Sequence, residues 1–233
     1  MWQISCDESR VDGCKFMLFG ALSIPAYAQA SFDQADRNFR HATNNDLAHF
    51  KWVKAASNKK LPDYLALVDL FFNQGAFFKC LIVEKSKVDY ARYHKRDHEL
   101  GFYKFYFLLL SRLVKFNLEY FVRVHRRSDK NRARLIDLQA ATNNWCRKTA
   151  GKHITPVRSL EGAEFTKHTE LQIVDVLLGA VGYHWERMHL KQDASKPKIA
   201  ICKSICTRLN KASLEFQSEW QQTKFNIWKW EPR

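Results

Sequence analysis

The sequence lacks the short motifs of several enzyme classes. No GxxxxGK[ST] segment is present among the 233 residues, which excludes a P-loop nucleotide site. The two glycine-rich turns that grip phosphate in actin-like ATPases are also missing, and so is the GxSxG serine nucleophile motif. The candidate catalytic residues must therefore be dispersed along the chain.

Signals for disulfides, export and membrane insertion are absent as well. The six cysteines contain no CxxC pair, and Cys202 and Cys206 have the four-residue spacing of one helix face, which favours apolar packing. We expect all six thiols to be reduced in a cytoplasmic protein. The start, MWQISCDES, has no basic segment followed by an apolar run, so we expect no signal peptide. The most apolar segment, 101–116, carries three basic residues and is too short to span a bilayer, so we expect no membrane partner.

The chain is rich in positive charge and in hydrophobic residues. Its formal net charge is +14 and 46% of its residues are hydrophobic, which together indicate a folded protein with a polyanionic partner, DNA or RNA first. Residues 85–134 hold 14 Lys and Arg against 5 Asp and Glu. A solvated helix face is the ordinary interpretation of such a run, but its position near the candidate site favours phosphate contacts. The predicted nucleic-acid-binding residues are Arg92, Lys95, Arg96, Arg126, Arg127, Lys130, Arg132 and Arg134.

Hydrophobic periodicity predicts one α/β domain. An alternating strand ends at Asp7, a second strand covers 15–24 as its antiparallel partner, and Pro25 ends that strand. Helices at 28–41 and 61–75 flank 47–52, which is either a third short strand or a structured loop. Strands at 77–84, 119–125 and 154–159 then alternate with helices, which predicts a mixed sheet covered by helices. Residues 189–233 are expected to form a C-terminal extension with a terminal helix and a closing strand.

Asp175 lies in the most apolar predicted helix, ELQIVDVLLGAVGY at 170–183. His168, Gln172, Asp175, Gly179 and Gly182 share one stripe of this helix, while its other faces are apolar. Two interior glycines cost about 1 kcal/mol each relative to alanine, so their position predicts a close approach along this stripe. Either Asp175 pairs with a buried arginine, with the glycines allowing tight packing, or the stripe lines a functional site.

Asp7 is the second unusual acid, because it ends the first strand and is followed by Glu8. A strand-end aspartate facing a helix aspartate is a frequent arrangement for a divalent cation. Hard carboxylate oxygens suit Mg²⁺ or Mn²⁺, with substrate phosphates completing the coordination.

A family resemblance adds to these residues. Five segments occur in the order found in the bacterial family called domain of unknown function 3800: ISCDES at 4–9, HFKW at 49–52, VRVHRRSDK at 122–130, LQIVDVLLGAV at 171–181 and KFNIWKW at 224–230. The chain resembles this family along nearly its whole length. The resemblance implies a ribonuclease H-like fold with a carboxylate cluster for two-metal phosphodiester hydrolysis, and a role in phage defence or mobile-element biology.

Two positions depart from the family pattern. His49 and His125 stand where the family commonly has acids, whereas Asp7, Asp175 and the lysine at Lys51 match. Three explanations remain open. Imidazoles can join the carboxylates and shift the preference towards transition metals, neighbouring acids such as Glu8, Asp12 or Asp129 can restore the charge, or catalysis can be lost.

These observations predict a divalent-metal-dependent nuclease. Asp7 and Asp175 are the expected metal ligands and catalytic acids, with His125 and Glu8 as further candidate ligands. His49, His125 and Lys51 are candidate proton-transfer or phosphate-contacting groups. The alternative is a catalytically inactive nucleic-acid-binding or complex-assembly protein. Five late or terminal tryptophans are expected to form either core or the surface for a protein partner or a second copy: Trp2, Trp185, Trp220, Trp228 and Trp230.

Overall fold

A six-stranded mixed sheet with helices on both faces organises the chain. The computed structural model describes residues 1–9, 13–43, 49–89, 98–126, 132–219 and 222–232. The strands in these ranges are β1 Trp2–Ser9, β2 Phe16–Pro25, β3 Phe77–Glu84, β4 Tyr120–His125, β5 Val157–Ala163 and β6 Phe225–Lys229. The helices are α1 Ala26–Ala42, α2 Leu61–Asn73, α3 His98–Ser111, α4 Arg132–Ala150, α5 Thr169–Trp185 and α6 Lys196–Leu209.

The strand order is β5-β4-β1-β2-β3-β6. β1, β2 and β3 pair antiparallel, whereas β4 and β5 run parallel to β1, and β6 runs parallel to β3. The predicted α/β class is confirmed, and the topology is consistent with a ribonuclease H-like fold. In the register of β1 and β4, Cys6 lies opposite Val124, so the next residues, Asp7 and His125, meet where the pairing of these two strands ends. Open α/β sheets bind ligands at this edge.

Alternation along β1 separates two cores. Ile4 and Cys6 pack with α3 and α4 on one face of the sheet. The other face carries α1, α2, α5 and α6. Fifteen of the residues of α5 are buried, which its nearly uninterrupted apolar sequence requires. Because successive side chains of a strand point to opposite faces, Asp7 projects towards the α5 face.

Within the described part of 47–52 the chain is a loop that leads into a 3₁₀ turn at Trp52–Lys54, so the loop alternative holds. Three local predictions differ from the structure. β1 does not end at Asp7 but continues to Ser9, because it pairs with β2 beyond the last residue that pairs with β4. β5 starts later than predicted, at Val157, and continues to Ala163. α5 begins at Thr169, so His168 is its N-cap and not part of the helical stripe.

The remaining predictions concern thiols, membranes and tryptophans. All six cysteines lie in described residues and none forms a disulfide. Within the described ranges no helix is long and apolar enough to cross a membrane. Trp228 is buried, and Trp2, Trp185 and Trp230 pack against the two cores, which favours the core interpretation over a partner surface for these four. Trp220 lies outside the described residues.

Candidate functional site

Asp7 and His125 form a hydrogen-bonded pair where the pairing of β1 with β4 ends. Asp7 is 2% exposed, and its Oδ1 lies 2.9 Å from Nδ1 of the half-buried His125. The backbone N–H of Glu8 donates to the same oxygen at 2.8 Å. The bond to Asp7 raises the pKa of His125, because the carboxylate favours the charged imidazolium. The structure thus joins two residues that the chain separates by 118 positions.

Asp175 projects from α5 towards the Trp52 turn. Its Oδ2 accepts a hydrogen bond of 2.5 Å from the backbone N–H of Trp52. The Trp52 ring packs directly on Gly179, one turn further along α5, where an added Cβ would stand 2.0 Å from the indole Cγ. The close approach predicted from the glycine stripe is confirmed at Gly179. No described arginine forms an ion pair with Asp175, so the paired-arginine alternative fails for the described chain.

Three charged side chains from distant parts of the chain act on the carboxyl group of Asp175. Burial and the negative charge of Asp7 raise the pKa of Asp175 from 3.8 to about 7. The Trp52 N–H and the positive charges of Lys51 and His125 act in the opposite direction. Asp7, Lys51, His125 and Asp175 therefore belong to one electrostatically coupled site, whereas their catalytic roles stay a prediction.

Phe165 organises the cationic side of this site. Its buried ring lies 4.7 Å from the Lys51 ammonium and 5.2 Å, between ring centroids, from His125. Tyr64 fixes the Lys51 backbone by donating its hydroxyl to the Lys51 carbonyl at 2.8 Å. Burial, and next the charge of Asp175, raise the pKa of Tyr64 to about 12, which keeps this hydroxyl a donor. Lys51 is thus held beside the acids by an aromatic ring and a tyrosine.

His49 precedes the segment that α5 anchors. The Gln172 side chain, fully buried in α5, accepts from the Phe50 N–H at 3.1 Å and donates to the Phe165 carbonyl at 3.3 Å. It therefore ties the loop before Trp52 to the turn that carries Phe165. Nδ1 of His49 is buried and has no hydrogen-bond partner among the described residues.

Glu8 faces the opposite side of the sheet from Asp7. Its carboxylate accepts a hydrogen bond from the Tyr106 hydroxyl of α3. Burial and the nearby charges of Glu8 and Asp7 raise the pKa of Tyr106 well above its usual value. Glu8 thus borders the α3 side of the sheet end, and its role as a metal ligand stays a prediction.

A cleft of about 700 Å³ opens beside His125. We call it the β4–β5 cleft, because it lies between the ends of β4 and β5 and the helices α3 and α4. Arg126 and Arg132 line it, as does Arg158, which the sequence did not single out. Arg134 follows on α4 and is partly buried. The other predicted phosphate-contacting residues lie outside the described part of the chain: Arg92, Lys95, Arg96, Arg127 and Lys130. The same is true of the candidate acids Asp12 and Asp129.

Asp7 and Asp175 suit a hard cation that takes one or two carboxylate ligands from the protein. Asp7 and Asp175 offer carboxylate oxygens from two elements, and neither is neutralised by a described arginine or lysine ion pair. Within the described chain no group of three or more His, Cys, Asp and Glu side chains is arranged to hold a metal ion. Mg²⁺ in particular is often held by one or two carboxylates, with water and substrate phosphates completing its shell. His125 has Nε2 left for other contacts, because its Nδ1 faces Asp7.

Three residues of the site could not be found from sequence patterns: Phe165, Tyr64 and Tyr106. They act through contacts between elements that are distant in the chain, and none belongs to a catalytic motif. Gln172 was on the predicted stripe, but its partners Phe50 and Phe165 were not predicted. No family model matches the sequence, and no curated protein matches it. The resemblance to the domain of unknown function 3800 family therefore stays a prediction.

Proposed function

We propose that the protein is a divalent-metal-dependent hydrolase of phosphodiester bonds in nucleic acid. The observation that supports this proposal is the proximity of the buried Asp7 and the partly buried Asp175, neither of which pairs with a described arginine, where the pairing of β1 with β4 ends. His125 and Lys51 offset part of the negative charge, but burial and Asp7 still raise the pKa of Asp175 to about 7. A divalent cation would offset the remaining cost of placing two carboxylates together in a partly buried site.

Each residue has a role in this proposal. Asp7 and Asp175 hold Mg²⁺ or Mn²⁺, which supplies activation of water and stabilisation of charge on the phosphate. Lys51 stands beside the acids and neutralises negative charge that develops on the phosphate oxygens. His125 is oriented by Asp7 and borders the cleft, so its Nε2 is placed to exchange a proton with a substrate oxygen. The arginines of the β4–β5 cleft attract the phosphate backbone, as the net charge of +14 leads us to expect.

One observation favours a second candidate, a nucleic-acid-binding protein of the same fold without catalysis. Oδ1 of Asp7 already holds both His125 and the Glu8 N–H, which leaves fewer lone pairs for a cation. If His125 replaces the cation as the partner of Asp7, the site keeps its charge balance without a metal. In either case we place the protein in the cytoplasm, where its six cysteines, none of which forms a disulfide, would stay reduced.

A cleavage assay separates the two candidates. Wild-type protein is incubated with labelled single- and double-stranded DNA and RNA in Mg²⁺, Mn²⁺, Zn²⁺ or EDTA. We expect cleavage that requires a divalent cation and is lost in Asp7→Asn and Asp175→Asn. Asp33→Asn makes the same change in charge on α1, where Asp33 accepts a bond from Gln29, and should cleave normally. Binding without cleavage in any metal would establish the second candidate, and cleavage that survives both substitutions would exclude the proposed site.

A further inference from the structure

The β4–β5 cleft has a position that matters for the substrate. Glu8 and His125 line it at the sheet edge, and His125 is bonded to Asp7. A ligand in the cleft therefore lies next to the candidate site. With a volume of about 700 Å³, the cleft has the size of a typical small-ligand site.

The wall of the cleft on α3 is aromatic and well supported. Phe102, Tyr103 and Tyr106 line it, and their ring centroids lie 5.3–6.4 Å apart. Phe19 of β2 backs this cluster, with an edge-on contact of 5.0 Å to Phe102. Facing solvent on α4, Ile136 lines the same cleft and is 58% exposed. The three rings are themselves 0–8% exposed, so Ile136 offers most of the apolar surface on which the flat face of a nucleobase can pack.

The polar lining is cationic. Arg126, Arg132 and Arg158 reach the cleft, against two acids, Glu8 and Glu161. Both acids are engaged, Glu8 with the Tyr106 hydroxyl and Glu161 at 3.7 Å from Arg123. Of the three arginines, Arg158 is held by Glu119, and Arg126 donates to the Gly162 carbonyl at 3.2 Å. Arg132 is exposed and forms no ion pair with a described residue. Arg132 is therefore the cation most available to a phosphate.

One polar side chain is fixed by the strand beneath it. Gln139 donates its amide nitrogen to the carbonyls of Val157 and Arg158, both at 3.1 Å. Its nitrogen is thus occupied, and its oxygen is the atom left to accept a hydrogen bond in the cleft. Base edges carry amino and imino donors that match such an acceptor.

We propose that the β4–β5 cleft binds one unpaired nucleotide of a single-stranded nucleic acid, with the base against Ile136 and the aromatic wall and a phosphate at Arg132. The inference rests on the proposed nucleic-acid substrate and specifies its strandedness. A base in a duplex is stacked on its neighbours and paired along its edge, so it reaches a cleft of this kind only after it leaves the helix. Single strands carry no such cost.

Binding measured in EDTA tests this inference without cleavage. Labelled short DNA and RNA single strands report binding by fluorescence anisotropy, with unlabelled single strands, duplexes and free mononucleotides as competitors. Ile136→Glu should weaken single-strand binding at least about tenfold, because it puts a negative charge on the wall that faces the base. Arg132→Gln should lower the slope of log K against log salt by about 0.7, the value for one phosphate contact on a single strand.

Matched substitutions outside the cleft serve as controls. Ile199→Glu on α6 and Arg37→Gln on α1 make the same chemical changes at exposed positions and should bind as wild type does. Binding of the cleft variants that equals that of these controls would overturn the inference. So would duplexes that compete as well as single strands, or free mononucleotides that bind as tightly as oligonucleotides.

The two proposals fail in different ways. Cleft-dependent single-strand binding without cleavage in any metal would leave this inference standing and remove the proposed hydrolysis. If the cleft variants bind single strands as wild type does and still cleave in a metal-dependent way, the proposed hydrolysis stands and the inference about the cleft is overturned.

Discussion

Nδ1 of His125 lies 2.9 Å from Oδ1 of Asp7, so the histidine that replaces an expected acid holds the acid that remains. Where a second carboxylate would add repulsion, His125 supplies a donor and, when protonated, a positive charge. The bond raises the pKa of His125 and orients the Asp7 carboxylate. A histidine at this position therefore leaves the site less negative than the acid predicted from the resemblance would leave it.

An aspartate at position 125, where the resemblance predicts an acid, should strengthen cation binding. We expect His125→Asp to lower the melting temperature in EDTA, because a carboxylate beside Asp7 replaces an attractive contact with repulsion. In Mn²⁺ the same variant should gain more stability than wild type does, with an affinity tighter by roughly tenfold, about 1.4 kcal/mol. Thermal denaturation over a Mn²⁺ titration measures both effects. The control is His153→Asp at an exposed position, and a His125→Asp protein that does not respond to Mn²⁺ would contradict the metal site.

The raised pKa of Asp175 should make the free energy of unfolding depend on pH. The pKa of Asp175 is raised from 3.8 to about 7, so its contribution to stability is fully present below pH 3.8 and is lost as the pH rises through 7. His125, whose pKa is also raised, loses its contribution in the same direction. In EDTA we expect Asp175→Asn to match wild type near pH 4 and to exceed its free energy of unfolding at pH 8 by up to about 4 kcal/mol.

Urea denaturation at the two pH values measures this difference. The amide oxygen can still accept the Trp52 N–H, so the substitution removes the charge and keeps the contact. Asp33→Asn should show no comparable gain at pH 8. If the metal-free Asp175→Asn protein is less stable than wild type at pH 8, the negative charge of Asp175 is already stabilised by neighbouring groups of the protein, such as Lys51 and His125.

The contact between Trp52 and α5 requires a glycine at position 179. Gly179→Ala puts a Cβ within 2.0 Å of the indole, so either the ring or the helix must move. We expect a loss of about 1–3 kcal/mol in the free energy of unfolding, and a shift of Trp52 fluorescence. Gly162→Ala is the control, because its added Cβ would meet Leu135 at an ordinary 3.5 Å. Equal stability of the two variants would argue against the tight packing of Trp52.

The sequence predicted the sheet and the two acids for a physical reason. Alternation in β1 and the apolar surface of α5 are strong local patterns. Asp175 is conspicuous because it interrupts the apolar surface of α5, and Asp7 because it stands at the end of the alternating segment. Contacts such as Gln172 with Phe50 depend on where two distant segments cross, and local periodicity holds no information on that crossing. The sequence predicts too early a start for β5, because Ile154 and Val157 are both β-branched apolar residues typical of strands. Of these two, only Val157 pairs with β4.

A partly buried lysine, Lys224, ties the start of the closing strand β6 to the end of α2. Lys224 precedes β6 and donates to the carbonyls of Phe71, Gln74 and Ala76, each at 2.7 Å, at the end of α2. Burial lowers the pKa of this ammonium to about 8, so desolvation opposes the three bonds. We expect the bonds to prevail, because removal of the donor leaves carbonyls without a partner, and Lys224→Met should lose about 2–3 kcal/mol.

Urea denaturation of Lys224→Met at pH 7 measures the balance between these opposing terms. Lys203→Met removes an exposed lysine from α6 and should leave stability within about 0.5 kcal/mol of wild type. A Lys224→Met protein as stable as wild type would mean that desolvation of the ammonium cancels its hydrogen bonds. In that case the pairing of β6 with β3, and not Lys224, would hold the C-terminal strand on the sheet.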